Sequence, residues 1–96
     1  MDLKTATVAD FEKLVGQSFS LTEVDDCQLQ LDRVDSLEKQ DESSRGPFAL
    51  VFKGEHAEPL AQGTFELRHA DVGELQIFIV PIGPTESGFL YEAVFN

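Results

Sequence analysis

The sequence predicts a mainly β domain, an antiparallel meander of about six strands curled into a small barrel or folded into a sandwich, with one short N-terminal helix. Three observations point there. Short apolar segments rich in Phe, Val and Ile recur between clusters of turn-forming residues. No stretch between them has the length and period of a crossover helix, so neighbouring strands must be joined by short connections. The densest stretch, ELQIFIVPIGPTESGFLYEAVFN at 74–96, has two apolar runs around a Pro-Thr-Glu-Ser-Gly turn and predicts a hairpin. Ninety-six residues make a single domain, 1–96, with one modest core.

A helix is predicted over 8–15. Thr7 and Asp10 have capping-box spacing, Val8, Phe11, Leu14 and Val15 share one face, and Gly16 supplies a stop. A helix this short must dock on the sheet to persist, as a lid over one barrel end. Strands follow over 18–24, where Phe19 and Leu21 alternate with polar residues, and over 26–37, where Cys27, Leu29 and Leu31 alternate until the phase slips to Val34 and Leu37. The slip predicts a β-bulge near Asp32 and Arg33. Residues 38–46, without one apolar side chain, read as a mobile solvated loop. The strand over 47–53 carries Phe48, Leu50 and Phe52 on one face and Ala49 and Val51 on the other, and is expected to be buried on both. The strand over 63–69 alternates cleanly, with Phe65, Leu67 and His69 on one face. A tight turn leads into 74–82, whose nearly continuous apolar run predicts a central strand buried on both faces, and 89–95 returns beside it.

Charge narrows the partners. Eighteen acidic against seven basic residues leave a formal charge of −11, which repels nucleic-acid phosphates and anionic headgroups and favours a basic protein partner. A single cysteine, Cys27, allows no internal disulfide. The first residues lack the apolar core of a secretory signal, and no run approaches the ~18 apolar residues of a spanning helix. A cytoplasmic location is expected.

Chemistry-bearing residues are few. His56 and His69, with Glu55, Glu58 or Asp71, include competent zinc ligands, but their spacing matches no metal motif; a solvated His56 and a strand-ending His69 are expected instead. Cys27 falls in phase with Leu29 and Leu31, as an inert core thiol would. No serine sits in a nucleophile elbow, and no glycine-rich phosphate loop is present. Glu92, between Leu90 and Val94, is the odd residue of an otherwise apolar face; a buried carboxylate needs a cation, and Arg68 or Arg33 is the expected partner. No catalytic, cofactor-binding or metal-binding residue is assigned.

TVADFEKLVGQSF, PFALVFKG, LAQGTFELRH and LQIFIVPIGPTESGFLYEAVFN together resemble the DUF6916 family of small bacterial domains over nearly the whole chain. The resemblance implies a bacterial domain with no assigned activity or catalytic residues, encoded near tail-collar-like fibre proteins. The leading expectation is therefore a non-catalytic protein-interaction domain, a structural component or assembly helper of a larger, tail-fibre-like structure. A small-ligand-binding barrel, with its pocket between helix and sheet, ranks second, and a hydrolase or metal enzyme third. An interaction module needs an exposed apolar or charged patch, a binder needs a deep pocket with convergent polar groups, and an enzyme needs paired titratable residues in such a pocket.

Overall fold

The computed structural model describes residues 1–24, 27–37, 47–55 and 59–95. Among them a short helix, α1 (Val8–Glu12), precedes six strands: β1 (Ser18–Leu21), β2 (Gln28–Ser36), β3 (Phe48–Gly54), β4 (Gly63–His69), β5 (Gly73–Pro84) and β6 (Phe89–Phe95). Every strand pair is antiparallel and the sheet closes on itself, which decides for the barrel over the sandwich. Closure leaves no full-length free edge. The expected loop at 38–46 lies outside the described residues, as does His56.

The order around the barrel is β1-β2-β3-β6-β5-β4. It corrects the single meander expected from the short connections. β1-β2-β3 and β4-β5-β6 are each meanders, but the chain leaves β3 and returns beside β1, the connectivity of a Greek key. β3 and β6 join the two halves over seven consecutive residue pairs, from Phe48↔Phe95 to Gly54↔Phe89.

Burial follows the strand period. The barrel is filled from one face of each strand, by Phe19 and Leu21, Leu29 and Leu31, Phe48, Leu50 and Phe52, Leu67, then Leu75, Ile77 and Ile79, and Tyr91 and Ala93. β3 is buried on both faces as expected, with Ala49 and Val51 fully covered on the outside. β5 is not. Its inner face is buried, but outward Phe78 is 52% exposed and Ile82 45%, so the run read as central is an ordinary half-buried strand with an apolar outer face. The physical reason is its partner change: residues 73–79 pair with β4, while the ladder to β6 begins only at Val80↔Glu92. Phe78 therefore has a ladder neighbour, Thr64, on one side only.

The bulge expected near Asp32 lies between Leu31 and Arg33. A second register shift, between Pro81 and Gly83, sets Ile82 outside the pairing. The turn after β5 is tied by Thr85, whose N–H donates to the Gly88 carbonyl at 2.7 Å and whose Oγ1 accepts from Gly88 N–H at 2.9 Å.

The helix is shorter than the expected 8–15. Its start is the predicted capping box: Asp10 N–H donates to Thr7 Oγ1 at 3.3 Å, and Thr7 N–H donates to Asp10 Oδ2 at 2.9 Å. The helix then tightens into turns, with Leu14 N–H on the Phe11 carbonyl and Val15 N–H on that of Glu12, before Gly16 at φ 88°. The turn leaves Val15 42% exposed and off the docking face. Phe11 does the docking. Its ring lies 5.8 Å from both Phe48 and Phe95, which themselves stack at 5.1 Å, so α1 closes the barrel end where β3 starts and β6 finishes.

Phe11→Ala should cost ~3–5 kcal/mol, the range for deleting a buried Phe. Denaturant melts check it, and a loss below ~1 kcal/mol would show that the plug is not needed. Gly88→Ala is expected to destabilise by ~1–3 kcal/mol, because a Cβ there would collide with backbone atoms of Gly54 and Glu55, which cannot swing aside as a side chain can.

Candidate functional site

The polar residues singled out in the sequence are mostly consumed by the fold. His69 ends β4 buried, with 6% of its surface exposed. Its Nδ1 accepts from the N–H groups of Asp71 at 3.0 Å and Val72 at 3.4 Å, so the ring proton sits on Nε2, which donates to Gln17 Oε1 at 2.5 Å. The ring also lies 4.9 Å from that of Phe19. His69 thus holds the β4–β5 turn against the start of β1, with both nitrogens engaged. Among the described residues, no group of three or more His, Cys, Asp or Glu is placed to hold a metal ion.

Tyr91 is fully buried, and its hydroxyl accepts from Leu60 N–H at 2.8 Å, pinning the connection between the two meanders. Burial pushes its phenol above the usual range; the Leu60 hydrogen bond opposes the shift and the Cys27 charge adds to it. Cys27 is buried as its phase predicted, and burial pushes its thiol up too, away from the thiolate that reactivity needs. No local pattern signals the bond between Tyr91 and Leu60, because the two are 31 residues apart.

The described cavities on the barrel wall are solvent-open. One of about 320 Å³ is lined by Ser18, Gln28, Gln30, Lys53 and Glu55, and another of about 620 Å³ includes Ser20, Arg68, His69 and Glu74. Between helix and sheet, where the ligand-binding alternative would have its pocket, stand the rings of Phe11, Phe48 and Phe95.

The exposed apolar surface lies elsewhere, on the outer face of β5 and β6. Val80 is opposite Glu92 in the ladder, and Glu92 is opposite Val51 on β3. One step along the same face of each strand lie Phe78 and Val94, both 52% exposed; one step the other way lie the bulged Ile82 and half-buried Leu90. Phe78, Val80, Ile82, Leu90 and Val94 thus form an apolar band across two paired strands, with Glu92 among them. The signal for it was present in the sequence: Glu74 and Gln76 share the phase of Phe78, marking that face as outward.

Glu92 does not have the cation expected for it. Arg33 is bound to Asp35 at 3.1 Å and Asp32 at 3.4 Å, and Arg68 to Glu74 at 3.1 Å, all solvent-exposed pairs on the barrel wall. The register explains the correction. Arg33 and Glu92 are two strands apart with Val51 between them, and Arg68 pairs with Glu74, well down β5 from Val80.

A family model for a domain of unknown function, DUF6916, matches residues 6–95. The chain belongs to the DUF6916 family. No curated protein and no solved structure matches it. Among the described residues of this DUF6916 domain, no helix is long and apolar enough to cross a membrane.

Stability should fall in alkali. The folded state holds the Tyr91 and Cys27 protons more tightly than the unfolded chain does. Their contribution is intact below the unfolded values, ~8.5 for Cys and ~10 for Tyr, and is lost as pH rises through the higher folded ones. Tyr91→Phe should remove the tyrosine part of that fall and, by leaving Leu60 N–H without its acceptor, cost ~1–3 kcal/mol at neutral pH. Melts from pH 7 to pH 11 check both; identical pH profiles for the two proteins would refute the assignment.

Proposed function

We propose that this DUF6916 domain is a non-catalytic protein-interaction module that docks through the outer face of β5 and β6. The observation that carries the proposal is the pair of half-exposed apolar side chains, Phe78 and Val94, on one face with Ile82. Isolated exposed apolar residues are ordinary on any protein, but neighbouring ones that include an aromatic mark surfaces that are covered in use. An aromatic anchor set in a rigid sheet loses little entropy on binding and supplies much of the burial a contact needs.

Charge sets the kind of partner. A net −11 on 96 residues draws basic surfaces and repels further copies of the chain, so the partner is basic. A role as a structural component or assembly helper of a larger, tail-fibre-like bacterial structure rests on the family resemblance. Small-ligand binding has less support, since aromatic rings fill the space between helix and sheet.

In-cell crosslinking of the tagged protein, followed by mass spectrometry, tests the proposal. Crosslinks to a defined partner are expected to disappear in a Phe78→Asp, Val94→Asp double variant whose fold is verified by circular dichroism. With the purified partner, the on-rate should fall as ionic strength rises from ~0.01 to ~0.15 M, where the screening length shrinks from ~30 to ~8 Å. Crosslinks that persist at wild-type level in the variant would place the interface elsewhere.

A further inference from the structure

We infer that Glu92 is an anchor for a partner's arginine, seated within the apolar face of β5 and β6. The inference rests on the docking proposal above and adds the chemistry of the contact. Glu92 is half-buried between Val80 and Val51 in the ladder and between Leu90 and Val94 along its own strand. Among the described residues it has no ion pair and no hydrogen bond: Arg33 and Arg68 are bound to other carboxylates, and Lys53, outward on β3 one step from Val51, forms no ion pair with it.

A carboxylate that has given up part of its hydration without gaining a donor is an unfavourable arrangement for the isolated domain. Glutamine or threonine would suit the strand at no such cost, and no described cation pairs with the charge within the fold. Docking a partner over the apolar band would strip the remaining water from Glu92, and an apolar partner surface would then leave a buried unpaired charge. The occupant must bring a cation. Guanidinium fits better than ammonium, because it is planar, more weakly hydrated and able to bond both carboxylate oxygens at once. Around that arginine the partner needs apolar side chains, to cover Phe78 and Val94 on one side and Ile82 and Leu90 on the other. A second copy of the chain is the wrong occupant, since a symmetric contact on this face would set Glu92 near its own mate.

The test uses a displayed library of random twelve-residue peptides selected on the immobilised full chain. Enriched peptides should carry arginine flanked by apolar residues. They should bind Glu92→Gln at least tenfold more weakly than the original protein, and should perturb the amide resonances of Val80, Glu92 and Val94. Replacing the arginine of an enriched peptide by citrulline, which keeps the shape and removes the charge, should give a similar loss. Glu92→Gln should itself melt no lower than the parent, whereas loss of an internal ion pair would lower it. If peptides that need Phe78 bind Glu92→Gln and the parent equally, the arginine inference falls and the apolar face stands. If enriched peptides bind a Phe78→Asp variant undiminished, or nothing is enriched, both fall.

Discussion

The pairing of β3 with β6 is the constraint on which the rest of the molecule depends. It joins residues about forty positions apart, and it alone links the two meanders on that side of the barrel. Each meander by itself is a three-stranded sheet with one apolar face in water. Once β3 and β6 are zipped together, and β1 meets β4 on the opposite side, those two faces become one enclosed core. β3 meets this demand with five consecutive fully buried residues, Phe48 to Phe52, the pattern of a strand with neighbours on both edges and cover on both faces.

Closing a small barrel leaves two ends to be sealed, and the molecule uses a different device for each task. At the start of β3 the seal is aromatic: Phe11, carried by a helix too short to exist alone, stands against the stacked rings of Phe48 and Phe95. Elsewhere buried polar groups fasten connections. Tyr91 holds Leu60 in the link between meanders, and His69 holds the β4–β5 turn and Gln17. Each of these side chains is hydrogen-bonded to a segment distant in the chain or to the adjoining turn, and so holds that segment in place. With the interior filled and fastened, the exposed apolar side chains of the paired strands lie on the outer surface.

The same closure produces that surface. β5 changes partner halfway along its length, from β4 to β6, and at the change Phe78 is left with a ladder neighbour on one side. Its exposure is therefore a consequence of topology as well as of composition. Glu92, across the ladder from the next outward residue of β5, pairs with no described cation: Arg33 and Arg68 are drawn to acids on their own or an adjacent strand, and Lys53, on the same face of β3, makes no ion pair with it. Apolar exposure and a charge without an ion pair thus occur together on one face.

Local pattern was enough for the elements: six strands within a few residues of their bounds, the capping box at Thr7 and Asp10, the bulge after Leu31, the two-faced burial of β3 and the core positions of Cys27 and Phe11. All of these are local. They follow from side-chain period, from hydrogen bonds between residues three apart, or from a phase slip within one strand. Long-range packing set the order of strands around the barrel, the outward exposure of Phe78, the bond from Leu60 to Tyr91 and the partners of Arg33 and Arg68. A run such as LQIFIVPI is apolar whether one face or both are covered, and which holds depends on what packs beside it. Likewise a carboxylate between Leu90 and Val94 requires a cation when enclosed, but the cation's reach is set by register between strands distant in the chain, which no local pattern encodes.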